Sequence, residues 1–347
     1  MRDASPQNNE STTGGPATRP PVSHVIVLDG TLSSLEPLYQ TNAGRTYMLL
    51  REMGAAVSLY YEPGLQWDNW STIWDVASGK GINRQIRRAY GWLASRYRTG
   101  DRIFLFGYSR GAYAVRSLAG VIDLVGLLRN DCATERNIRA AYRHYERAPD
   151  SDVAKVFSSL HCHAEIEIEM IGVWDTVKSL GLNAPVLWRF SEHLHAFHNH
   201  DLGQSVKHGF HALAHDETRA AFAPVLWHTD TDHAAKVEQV WFPGAHGDVG
   251  GQLGGFEAAR PLANIPLVWM LEQAEKTGLP LPKGWRDRYK QDALAPARGT
   301  WRGHGRVLMS RKKRIIGRDP SERLHESVLA RQGEAKTEGL KNPDRGS

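Results

Sequence analysis

Ile103-Phe104-Leu105-Phe106-Gly107-Tyr108-Ser109-Arg110-Gly111-Ala112-Tyr113 decides how the chain is read. The apolar run at its start predicts a short buried strand. Val115, Leu118, Ala119 and Ile122 then recur at helical spacing and predict an amphipathic helix over Ala112 to Leu124. Between the two stands Gly107-x-Ser109-x-Gly111. A serine in a tight strand-to-helix turn, with glycines beside it because the helix must pack close beneath, is the pattern of a nucleophile elbow. The pentapeptide alone arises by chance in a chain with 33 glycines. The strand before it and the helix after it give it weight.

Outward from this stretch, strands and helices alternate. Val22 to Leu28 is an apolar run ending at Asp29-Gly30-Thr31, and a second strand, Ala55 to Tyr61, stops at Glu62-Pro63-Gly64. Ile82, Ile86, Ala89, Leu93 and Tyr97 predict a helix over Asn83 to Tyr97, and a charged helix follows at Glu135 to Arg147. Further strands are expected at Ile166 to Val173, before Trp174-Asp175-Thr176, and at Val237 to Phe242, before Pro243-Gly244-Ala245-His246. Pro266 to Lys276 reads as a helix closed by Gly278. Such alternation calls for an α/β fold with a mainly parallel sheet and helices on both faces, in a single domain over residues 22–330. Residues 1–21 read as a disordered tail and 331–347 as a polar one.

The 347 residues carry a net charge of +5. From Arg298 to Arg318 there are eight basic side chains and no acid, so the rest of the chain is slightly acidic. That distribution excludes a protein coated with basic charge for nucleic acid. Within the segment, Arg311, Lys312, Lys313 and Arg314 are candidate contacts to an anionic lipid surface, beside the simpler expectation of a solvated helix or loop. Cys132 and Cys162 are too few for a disulfide scaffold and suit a reducing compartment. No apolar core of a signal peptide and no apolar stretch of membrane-spanning length is present. The expected location is the cytoplasm of the producing cell, with delivery by a secretion system left open. Oligomeric state is not legible.

A serine hydroxyl needs a base within hydrogen-bond reach, itself held in one tautomer by a carboxylate. In α/β-hydrolase-like folds these follow in the order serine, acid, histidine, each from the carboxyl end of a different strand. Asp175 and His246 occupy such places. Asp248, in the same glycine-lined loop as His246, is the second candidate, as an alternative acid or as a partner that orders the loop. The oxyanion needs two N–H donors. One is expected from Arg110, the residue after the nucleophile, and the other from Gly30 or Thr31 in the turn after the first strand. Asp29-Gly30-Thr31 also invites a haloacid-dehalogenase reading, but Val27 stands where that nucleophile would be.

His193, His195, His198 and His200, with His208, His211 and His215, fit no metal-ligand spacing and are expected as loop and surface residues near the site opening. No metal and no cofactor is expected, and no phosphate-binding glycine motif follows a strand. Trp67, Trp70 and Trp74 fall on one face of a short helix, as core or as an aromatic lid.

The chain resembles the α/β-hydrolase domain-of-unknown-function family that includes the catalytic domain of type VI secretion phospholipase effectors. The resemblance runs over about residues 23–330. It rests on Val25-Ile26-Val27-Leu28-Asp29-Gly30-Thr31, Tyr60-Tyr61-Glu62-Pro63-Gly64, Gly107-Tyr108-Ser109-Arg110-Gly111-Ala112-Tyr113, Gly172-Val173-Trp174-Asp175-Thr176-Val177, His211-Ala212-Leu213-Ala214-His215-Asp216-Glu217 and the run Phe242 to Gly251. It implies a triad on Ser109, Asp175 and His246 and hydrolysis of lipid acyl esters, glycerophospholipids above all. A small-ester esterase or peptidase with the same triad, or an idle binding module on the same fold, are the alternatives.

Overall fold

The computed structural model describes residues 19–64, 80–177, 201–229, 236–300 and 310–341. Among the described residues seven strands form one sheet: β1 (Ser23–Leu28), β2 (Val57–Glu62), β3 (Arg102–Tyr108), β4 (Met170–Trp174), β5 (His208–Ala214), β6 (Lys236–Phe242) and β7 (Glu322–Leu324). Their order is β2-β1-β3-β4-β5-β6-β7, and every neighbouring pair is parallel. The helices are α1 (Asn42–Arg51), α2 (Lys80–Ala94), α3 (Arg110–Val125), α4 (Glu135–Arg147), α5 (Asp152–His161), α6 (His246–Val249), α7 (Arg260–Lys276) and α8 (Glu326–Lys341). This is the expected α/β-hydrolase-like layout in a single sheet.

Both faces of the sheet are covered, which is why β1, β3 and β4 at its centre read as largely continuous apolar runs. Alternate side chains divide between two cores. Ile26, Leu28, Ile103, Leu105, Ile171 and Val173 pack with α2, α3 and α4 on one face. Val25, Val27, Phe104, Phe106, Met170 and Phe210 pack with α1 and α7 on the other. Leu28 pairs with Gly107, Tyr108 with Trp174, Trp174 with Ala212, and Ala214 with Phe242. Asp29, Ser109, Asp175 and His215 therefore emerge at one edge. The chain leaves β1 toward β2 and returns past it to β3. The turns after β1 and β3 thus flank the switch point, where α/β sheets open a crevice.

Several elements differ from the expectations. α2 starts at Lys80 and stops at Ala94, and α7 begins at Arg260 and takes Pro266 inside it. In the expected strand Ile166 to Val173, only Met170–Trp174 joins the ladder, with Ile168 in an isolated bridge to Val206. β5, β7, α1 and α5 were not legible. α8 continues to Lys341, into the expected polar tail, with Val328 buried and Arg331 donating to the carbonyls of Ala293 and Ala295. Residues 1–18, Trp67, Trp70, Trp74 and His193 to His200 lie outside the described residues. Among the described residues, no helix is long and apolar enough to cross a membrane.

Candidate active site

Ser109 follows β3 directly, at φ 57° and ψ −116°, and α3 starts at the next residue. Glycines permit the turn. A Cβ on Gly107 would lie 2.6 Å from the Ala112 Cα, and one on Gly111 would lie 2.0 Å from the Leu28 carbonyl oxygen. Only hydrogen fits at either place. Ser109 Oγ lies 2.8 Å from His246 Nε2, and His246 Nδ1 lies 2.6 Å from Asp175 Oδ2. The structure thus brings Ser109, Asp175 and His246 together, on β3, β4 and the segment after β6.

The imidazole is held from several sides. His246 opens the one-turn helix α6, in the stretch expected as a loop, and its backbone N–H donates to Glu217 Oε2 at 3.1 Å. Glu217 is itself paired with Arg219. The ring packs between Tyr108, at 4.9 Å between centroids, and Phe222, at 4.7 Å. Burial and the hydrogen bond to Asp175 leave the ring one working nitrogen, aimed at Ser109.

Asp175 leaves β4 with φ 43° and is fully buried. Its Oδ1 accepts from the Ala214 N–H at 3.0 Å and from Arg314 Nη1 at 2.5 Å, while Oδ2 also accepts from Arg314 Nη2 at 2.9 Å. Burial pushes its carboxyl up, but the Arg314 charge, with the hydrogen bonds from His246 and Arg314, holds it well below the usual range. Asp248 does not reach the imidazole. Its carboxylate accepts the N–H groups of Ala245, Arg298 and Gly299 at 2.9, 2.6 and 3.1 Å, so it orders the turn that carries His246.

Of the two oxyanion candidates after β1, the Gly30 N–H is already donated to Asp29 Oδ1 at 2.7 Å. Thr31, the other candidate, has its carbonyl tied by Gln252 Nε2 at 2.8 Å. This turn adjoins the elbow, since a Cβ on Gly30 would lie 3.3 Å from the Ser109 Cβ. Arg110 begins α3, where backbone N–H groups lack intrahelical acceptors and suit an anion. Burial pushes its guanidinium down to about 10.

Two expectations are corrected. Arg314 is no surface contact: its side chain is 4% exposed and faces Asp175, 139 residues earlier in the chain. Arg311 is also partly buried, with Nη1 3.3 Å from Thr218 Oγ1, which leaves Lys312 and Lys313 facing outward. Nor are the later histidines all surface residues. His211 lies in β5, fully buried, where Nε2 accepts the Thr176 N–H at 3.1 Å, and burial pushes the ring down to about 3. His208 Nδ1 lies 2.9 Å from the Glu169 carbonyl, and His215 pairs with Asp216. Among the described residues no cluster of three His, Cys, Asp or Glu side chains could hold a metal.

A parallel sheet with a serine at the elbow after β3, and an acid and a histidine at the ends of later strands, defines an α/β-hydrolase-like protein. Within that class the chain belongs to the family of the type VI secretion Tle1-like phospholipase effector catalytic domain, whose model matches residues 23–273. It is 28% identical over 244 residues to an uncharacterised protein of Saccharomyces cerevisiae, across 60% of this chain and 34% of that protein. A solved structure of an uncharacterised protein from Pseudomonas aeruginosa aligns with a TM-score of 0.45 and 15% identity, over 78% of this chain and 49% of that one. The Tle1 effector bound to the VgrG spike of the type 6 secretion system aligns with a TM-score of 0.33 and 17% identity, over 72% and 56%. The chain spans between about a third and just over half of the length of these relatives.

Proposed function

We propose that the protein is a serine hydrolase that cleaves carboxylic esters of lipids, phospholipid acyl esters first among them. The reading is carried by one observation, the unbroken hydrogen-bond path from Ser109 Oγ through the His246 ring to the Asp175 carboxylate. Membership of a phospholipase effector family supports the substrate class. Asp175 accepts a hydrogen bond from the Nδ1–H, so Nε2 is the acceptor that takes the Ser109 proton as Oγ attacks the ester carbonyl. In this reading the N–H groups of Arg110 and Thr31 are the donors to the oxyanion. His246 returns its proton to the leaving alcohol. It next takes a proton from a water whose oxygen attacks the acyl carbonyl, and returns that proton to Ser109 Oγ as the acyl–Oγ bond breaks and the acid leaves.

A fluorophosphonate is expected to label the wild type and not Ser109→Ala; equal labelling of the variant would end the proposal. Asp175→Asn is expected to lower kcat by roughly 10³-fold or more, because the imidazole loses its fixed tautomer. A two- to tenfold loss would remove Asp175 from the mechanism. Release of fatty acid from phospholipid vesicles, compared with hydrolysis of short soluble esters, separates a lipid hydrolase from a small-ester esterase.

A further inference from the structure

We infer that Arg314 is a positioning residue of this site, acting on Ser109 chemistry through Asp175. The inference rests on the Ser109–His246–Asp175 reading above. Arg314 lies in the basic run and makes a two-pronged contact with both carboxylate oxygens. The same guanidinium donates from Nη1 to the Ala214 carbonyl at 2.8 Å and from Nη2 to the Phe222 carbonyl at 2.6 Å. Four donor bonds from one planar fork fix its plane, and the plane fixes the carboxylate.

That leaves Asp175 no rotational freedom. Oδ1 is shared by Ala214 and Arg314, and Oδ2 by Arg314 and His246 Nδ1. A carboxylate with only the histidine and one backbone N–H as partners could turn about its last torsion, and Nδ1 would follow it away from the line to Ser109. Arg314 also joins three separate pieces: the end of β4, the end of β5, and the turn whose Phe222 ring lies against His246. Lysine, a point donor, could not span both oxygens and both carbonyls.

The positive charge has a second effect. An isolated Asp175 carboxylate would stabilise the imidazolium formed during catalysis, and Arg314 takes part of that stabilisation away. Among the described residues, the other charged or titratable groups around Asp175 and His246 are Glu217, Arg219, His211, Tyr108, Asp248, whose carboxylate three backbone N–H groups hold, and Arg298, whose side chain lies against Gly247. Glu217 and Arg219 pair with each other, and burial keeps the His211 ring neutral and the Tyr108 phenol protonated. Among the described residues, Arg314 is thus the cation in direct contact with the Asp175 carboxylate.

The test is steady-state hydrolysis of a short soluble ester by wild type, Arg314→Met and Arg314→Lys, across pH, with circular dichroism and thermal melting as checks of folding. Arg314→Met is expected to lose roughly 10- to 100-fold in kcat, the usual scale for residues that orient a catalytic group from behind, with KM unchanged. The acid limb of its kcat/KM profile is expected to move to higher pH, since a cation beside the carboxylate is removed. Arg314→Lys keeps the charge, so its kcat falls while the acid limb stays. A folded Arg314→Met with wild-type kcat and an unmoved limb overturns the inference. Should that variant fail to fold, Arg314→Lys decides: reduced kcat at unchanged KM supports the inference, and wild-type kcat overturns it. Fluorophosphonate labelling of wild type and Ser109→Ala runs alongside. Labelling of Ser109→Ala would defeat the triad itself, whereas loss of labelling with unimpaired Arg314 variants would defeat only the role of Arg314.

Discussion

Ser109 stands at φ 57° and ψ −116°, a conformation that a residue with a Cβ adopts at a cost of about 1–3 kcal/mol. The turn is held there by Gly107 and Gly111, which bring α3 against β3 and β1, and by the Ser109 N–H, which donates to the Trp174 carbonyl at 3.0 Å. Two inactive variants separate this strain from the chemistry. Ser109→Gly is expected to be more stable than Ser109→Ala by about 1 kcal/mol in urea denaturation, because glycine accepts positive φ, less its larger unfolded-state entropy. A glycine variant no more stable than the alanine one would mean that the elbow is relaxed. Ser109, Asp175 and His246 were legible because each follows an apolar run within four residues, and parallel strands bring such positions to one edge. Arg314 was not. It lies among eight basic residues, and nothing local distinguishes the arginine that turns inward from Lys312 and Lys313, which do not.

The elements that escaped the sequence are those whose composition hides their burial. β5, with the sequence His-Gly-Phe-His-Ala-Leu-Ala, carries two histidines where a buried strand ordinarily carries aliphatic residues. Its apolar partners, β4 and β6, supply the context that the histidines conceal. α1 starts with Asn-Ala-Gly, a poor helix opening, but the Thr41 side chain caps it at the Gly44 N–H and also donates to Asp29. Asp29 joins these elements, accepting from Gly30, Thr41 and the Tyr61 hydroxyl while buried under the turn that offers Thr31 to the site. Burial pushes its carboxyl up to about 6, more than those hydrogen bonds pull it down. A folded-state value above the unfolded one means that the folded protein holds this proton more tightly. The associated stability is full below about pH 4 and is lost as pH rises through about 6. Relative to Asp29→Asn, the wild type is therefore expected to lose on the order of 3 kcal/mol between pH 4 and pH 7 in denaturant titrations. A difference between the two that does not vary with pH would refute it.

At the scale of the whole molecule, the basic run at 298–318 divides by direction. Arg314 and Arg311 turn inward, and the backbone N–H groups of Arg298 and Gly299 hold Asp248, so part of the segment belongs to the site's scaffold. Lys312, Lys313 and Arg318 remain exposed around a small cavity that Arg219 and Phe222 also line. Since Phe222 packs on His246, these cations flank the site on one side. A lipid hydrolase that meets an anionic surface there would hold its ester bond near Ser109 as it binds. Each lysine near such a surface contributes about 1 kcal/mol, and the attraction fades beyond a Debye length of about 8–10 Å at ordinary salt. Binding of the inactive Ser109→Ala protein to vesicles rich in anionic lipid is therefore expected to weaken steeply as salt rises. Reversing charge at both positions, Lys312→Glu with Lys313→Glu, is expected to cost at least about tenfold in affinity at low salt, with hydrolysis of a short soluble ester by the otherwise wild-type protein serving as the check on folding. Sedimentation with such vesicles reads both effects. Affinity that responds neither to salt nor to charge reversal would leave the basic run with only the scaffold role that Arg314 and Arg298 give it.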